Sequence, residues 1–146
     1  MKNLRKNLKS KKGFTLIELI VVIVILAILM AIMLPSLTGY IDQANEQAIL
    51  TEARNVYAAL QTMNGLEYGT GVKYFNGANL SITADPTGSM TGVEKLNALI
   101  GVPATTYTTS NVTDIDRTGN TVVGFKLAKD GRTVTYAGSK FTVTTP

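Results

Sequence analysis

The 146-residue chain contains no cysteine and no histidine. Without cysteine there is no disulfide, no thiolate site for zinc or iron–sulfur, and no thiol nucleophile. Without histidine there is no imidazole base, and every catalytic triad built on one is excluded. Acids are missing from the first thirteen residues, where six of the fourteen bases sit: Lys2, Arg5, Lys6, Lys9, Lys11 and Lys12. From Phe14 onward eight bases face ten acids, so the body carries 8 − 10 = −2 and the total of +4 belongs to a short leading segment. That division removes the case for a specific nucleic-acid surface that the total would suggest. A hydrophobic content of 45% is that of a folding chain, and the length suits one modest domain.

What the chain does have is one long apolar run. Leu19 to Leu34 is sixteen apolar residues without a break, and from Phe14 to Leu34 only Thr15 and Glu18 are polar. As a helix, Phe14–Leu34 spans about 31 Å, close to the roughly 30 Å of a bilayer's hydrocarbon. A small domain has no interior that could surround such a helix on all sides, so the segment is expected to enter a membrane. The leading bases then hold the N-terminus in the cytoplasm and send the rest outward. After the run, Leu34 and Ser36 around Pro35 make a poor small-residue cleavage site, so the apolar helix is expected to be retained. Glu18 does not fit a passive anchor: a carboxylate at a bilayer centre costs about 2.5–3.5 kcal/mol, less near the interface. On charge alone it is either an acid reaching water at the membrane edge or one awaiting a cation from another molecule.

Lys12-Gly13-Phe14-Thr15-Leu16-Ile17-Glu18, with the basic leader before it and the apolar run after it, resembles the class III signal of type IV pilins and pseudopilins. The resemblance covers residues 1 to about 60. It implies that a membrane prepilin peptidase cuts between Gly13 and Phe14 and methylates the new Phe14 amine. It implies a pilin fold, α+β, with a long N-terminal helix, apolar then amphipathic, packed on a small antiparallel sheet. It also implies a structural rather than enzymatic role: a subunit that polymerises with identical copies into a surface filament, built on a membrane assembly platform. No cofactor or metal is implied. Cutting after Gly13 removes all six leader bases, and the Phe14 ammonium becomes a cation at the end of an apolar helix. Glu18 of one subunit could neutralise that cation in its neighbour and so set axial register, since two buried charges are tolerable only when paired. An intramolecular Phe14–Glu18 pair at i,i+4 is equally allowed by spacing.

Pro35 and Gly39 mark a point where the long helix is expected to kink or melt. Beyond them Leu37, Ile41, Ala44 and Ala48, then Ile49, Ala53, Val56, Leu60 and Met63, step by three and four along an amphipathic helix. Asn64-Gly65 supplies a stop, giving a helix over 14–64 that is roughly 76 Å long if straight. The domain reading is therefore a leader over 1–13, the helix over 14–64 (span 14–34, amphipathic part 35–64) and a β-rich head over 65–146.

Within the head, 66–86 reads as loop with one short strand near Val72–Phe75. Thr91-Gly92-Val93-Glu94 has capping-box form, and Leu96, Leu99 and Ile100 follow on one face, which predicts a short helix over about 91–100 closed by Gly101 and Pro103. Thr105–Val112, Thr121–Ala128, Thr133–Ala137 and Lys140–Thr144 are predicted strands of a meander, with Asp130-Gly131 a strong tight turn and Thr118-Gly119-Asn120 a weaker one. Asp114-Ile115-Asp116-Arg117-Thr118-Gly119 mimics the opening of a calcium loop but has Phe125 where the bidentate acid belongs, so a plain turn is expected there. Asn111-Val112-Thr113 and Asn79-Leu80-Ser81 have the form of glycosylation acceptors. The leading functional expectation is a type IV pilus subunit, starting in the cytoplasmic membrane and ending in an extracellular filament. The runner-up is a pseudopilin of a secretion or competence system. An uncleaved, membrane-anchored binding domain is the reading from another class.

Overall fold

A computed structural model describes residues 13–81 and 90–145. The leader expected over 1–13, apart from Gly13, and the end of the loop expected to reach residue 86 lie outside those residues. The chain divides into two compact units, one ending at Asp42 and one beginning at Gln43, and helix α1 (Leu16–Thr70) contributes to both.

Helix α1 is continuous through Pro35 and Gly39, so neither residue breaks it in the single chain. Proline removes one backbone hydrogen bond. The acceptor left without that donor is the Ala31 carbonyl; one turn on, the Thr38 hydroxyl donates to the Pro35 carbonyl at 3.0 Å. The two apolar series along the helix part company at Ile49. Leu37, Ile41, Ala44 and Ala48 are exposed, whereas Ile49, Ala53, Val56, Leu60 and Met63 are buried and form one wall of the head's core.

The helix does not stop at Asn64-Gly65. Asn64 is only 3% exposed, and its amide donates to the Gly119 carbonyl at 3.2 Å while its oxygen accepts from Arg117 at 3.3 Å. Its side chain therefore ties the helix to the sheet instead of capping the last turn. The stop is Gly71, left-handed at φ 76, whose N–H reaches the Glu67 carbonyl at 2.9 Å. The extra turns place Glu67, whose carboxylate accepts from the backbone of Tyr74 and Phe75 at 2.9 and 3.2 Å and pairs with Arg117 at 3.2 Å. The strand expected near Val72–Phe75 is a hairpin displaced by a few residues, β1 (Phe75–Asn76) with β2 (Asn79–Leu80).

Helix α2 (Gly92–Ile100) begins as its sequence predicts. Thr91 and Glu94 form a reciprocal capping box at 3.1 and 2.8 Å, and Gly101, at φ 79, closes the helix. Gly92 is required by packing: a Cβ there would stand 1.9 Å from the Tyr74 carbonyl oxygen and 2.8 Å from the Ser81 nitrogen.

The main sheet is an antiparallel meander in the order β3 (Val112–Thr118), β4 (Thr121–Lys129), β5 (Arg132–Ala137), β6 (Lys140–Thr144). Three of its strands fall close to where alternation placed them. The first does not: 105–111 forms turns, and β3 takes the segment that mimicked a calcium loop. Two buried or half-buried amides account for the turns. Asn97, 1% exposed, holds both the N–H and the carbonyl of Tyr107 at 2.9 Å, and Asn111 accepts from the Thr108 N–H at 2.6 Å. Those backbone groups are satisfied by side chains and have no need of a ladder. Bulges then let β3 keep Val112 and Ile115 inside at an odd spacing, with Asp114 left-handed at φ 52. Asp114 pairs with Lys126 at 2.8 Å across the sheet. The β4–β5 turn has Asp130 and Gly131 at φ 51 and 73, the left-handed pair that a type I′ hairpin needs. Gly138 and Ser139, at φ 57 and 67, make a second such turn that the sequence did not announce.

Candidate functional site: the capped apolar helix

Gly13, Phe14 and Thr15 are non-helical and exposed, and α1 starts at Leu16. Thr15 is the residue before the first turn and Glu18 is three residues on. The Glu18 backbone N–H reaches the Thr15 hydroxyl oxygen at 3.3 Å, while the Glu18 carboxylate accepts from the Thr15 backbone N–H at 3.1 Å and from its hydroxyl at 2.9 Å. This is a second capping box, Thr15-x-x-Glu18, of the same T-x-x-E form as the one at Thr91. Sequence reasoning found the second instance and missed the first, because the resemblance drew attention to Glu18 as a charge and away from it as a cap. In the uncut chain Phe14 nitrogen is a peptide nitrogen, and the hydrogen bonds of the Glu18 carboxylate go to Thr15.

The large hydrophobic side chains from Phe14 to Ile41 are between 42% (Ile20) and 82% (Phe14) exposed. The helix contains an 18-residue stretch apolar enough to cross a membrane, none of it buried within the chain. Exposed apolar surface on this scale marks contact with lipid or with other protein. Among the described residues nothing lies within 4 Å of where a Gly13 Cβ would stand, so none of them demands glycine there.

Among the described residues no group of three or more His, Cys, Asp or Glu could hold a metal ion. A cleft of about 260 Å³ lined by Asn45, Ile49, Glu52, Lys129, Asp130 and Arg132 has its Glu52 carboxylate bound to the Lys129 ammonium at 2.8 and 2.9 Å. The same carboxylate accepts from the Tyr107 hydroxyl at 3.2 Å. Burial first, and the Glu52 charge second, push the Tyr107 phenol up to about 12. This trio joins α1, β4 and the 105–111 turns.

A polar edge on α1 is absent from the sequence-based expectations. Gln61, Asn64 and Glu67 recur every third residue, and all three bond across to the sheet. Gln61 donates to the Asn120 carbonyl and accepts from the Val122 N–H, both at 2.8 Å, completing a clamp on the β3–β4 turn and on Arg117. The guanidinium of Arg117 lies 4.3 Å over the Phe75 ring. A period of three polar residues beside a buried stripe was the available signal.

Residues 8–34 match the family model described as the prokaryotic N-terminal methylation motif. No curated protein and no solved structure matches the chain. That motif, ahead of a long N-terminal helix whose later turns pack on small antiparallel sheets, fits the type IV pilin and pseudopilin superfamily.

Proposed function

We propose that the chain is the structural subunit of a type IV pilus, inserted as a precursor, cut after Gly13, methylated on Phe14 and polymerised through α1. The observation that supports this most is the exposed apolar surface from Phe14 to Ile41. In the precursor that surface meets lipid, and in the filament it meets the same surface of identical subunits. Since nothing among the described residues crowds Gly13, the need for glycine is assigned to the peptidase, which requires close approach to the backbone.

The Thr15–Glu18 cap gives Glu18 a role at both stages. In lipid, Thr15 supplies two donors to the carboxylate and lowers the cost of keeping it at the edge of the apolar layer. Cleavage creates an ammonium on Phe14, one residue before Thr15. In the filament that cation on one subunit becomes the partner of Glu18 on the next, and a subunit out of register leaves two charges unpaired, at a cost of several kcal/mol. Unwinding at Pro35 and Gly39, absent from the single subunit, belongs in this reading to the assembled state.

The test is the intact mass of material sheared from the cell surface. A chain beginning at Phe14 with one added methyl group is expected. Surface-located, functional protein that still carries Met1 to Gly13 would overturn the reading in favour of an anchored domain.

A further inference from the structure

The chain has two Asn-Gly pairs, Asn64-Gly65 and Asn76-Gly77, and the fold treats them in opposite ways. We propose that Asn76, at the end of the β1–β2 hairpin, is a site of spontaneous covalent change: its side-chain amide converts to aspartate and isoaspartate through a succinimide closed by the Gly77 nitrogen.

The chemistry needs three things: an unencumbered backbone nitrogen on the following residue, an amide carbon it can reach, and water. Asn76 offers the nitrogen and the water. It is exposed, it pairs only with Asn79, and Gly77-Ala78 forms a two-residue turn with Gly77 at φ 62. In such a turn the N–H of the first turn residue points outward and takes no part in the ladder. Gly77 carries no side chain to obstruct ring closure. Asn64 offers neither. Gly65 lies inside α1, where its N–H is committed to the carbonyl four residues back. The Asn64 amide is buried and held by the Gly119 carbonyl and by Arg117.

The step balances as follows. The Gly77 nitrogen loses its proton and forms a bond to Cγ of Asn76, the Cγ–Nδ2 bond breaks, and ammonia leaves with the proton. Water then opens the five-membered ring at either carbonyl, giving aspartate or, with an extra methylene in the backbone, isoaspartate. No oxidant or reductant takes part. The consequence is local: Asn76 follows Phe75, on which Arg117 stacks, and the Ala78 carbonyl of the same turn accepts the Ile115 N–H at 2.8 Å. An added backbone atom at residue 76 lengthens the hairpin at the point where it is stitched to β3.

The experiment is timed incubation of the full chain in detergent at mildly alkaline pH, with peptide mapping of both Asn-Gly pairs. A denatured sample runs in parallel. In the folded protein Asn76 is expected to convert at least about tenfold faster than Asn64, because conversion at Asn64 must wait for the helix to open. In denaturant the two rates should come together. Asn76→Gln, with an unchanged circular-dichroism spectrum, should abolish the fast component. Equal rates in the folded protein, a slower rate at Asn76, or a fast component that survives in Asn76→Gln would each overturn the proposal.

Discussion

Single residues decide several features of this chain, and they do so for different reasons. Gly92 opens α2 where alanine would ordinarily gain about 1 kcal/mol in helix propensity. Here a Cβ would lie 1.9 Å from the Tyr74 carbonyl oxygen, an atom held by its own bond from the Ser81 N–H at 2.9 Å. Overpacking against backbone outweighs propensity, so Gly92→Ala is expected to lower head stability by about 1–3 kcal/mol, read as a fall in the urea midpoint. In the proposed filament Glu18 is a residue of assembly. Glu18→Ala should insert and be cut like the parent chain while giving fewer or irregular filaments, counted by electron microscopy of sheared material. Filament yield equal to the parent's would remove the pairing of Glu18 with a neighbouring amine. At the proposed cut, Gly13→Val should leave uncut precursor in the membrane, visible as a retained leader by mass. Normal trimming there would move the cleavage site elsewhere.

At the scale of elements, the joins between helix and sheet are where polar chemistry concentrates. The phenol of Tyr107, pushed up to about 12 by burial and by Glu52, ties 105–111 to α1. Its folded value is raised above the ordinary value of about 10, so the folded state holds that proton more tightly. The associated stability is whole below about pH 10 and is lost as pH climbs towards about 12, on the order of 2–3 kcal/mol in all. Tyr107→Phe should flatten that part of the stability–pH curve in chemical denaturation. These joins are also where the sequence could be read least well. The amphipathic stripe from Ile49 to Met63, the α2 box and the β4–β5 turn were legible because period and turn chemistry are local properties. The extension of α1 to Thr70 and the displacement of the first strand to Val112–Thr118 were not. Both depend on amides that act across the fold: Asn64 on Gly119 and Arg117, Asn97 on Tyr107. An asparagine in sequence reads as a stop or a turn. Only its partners show that it is a tether.

For the whole molecule, the division of labour is sharp. Every buried hydrophobic side chain among the described residues lies between Ile49 and Tyr136, and none of the apolar surface before Asp42 contributes to that core. A chain starting at Gln43 is therefore expected to fold and remain monomeric in detergent-free buffer, measured by sedimentation, while the chain from Phe14 requires detergent or its filament. Association of the shorter chain would place part of the assembly surface on the head. The strand order has a further effect. Each strand of the β3-β4-β5-β6 sheet pairs with its neighbour in sequence across a turn of two residues. Such contacts are closed by short loops, which keeps the folding search brief. With no cysteine to oxidise, the head can reach its native state hairpin by hairpin, without waiting on a thiol oxidase.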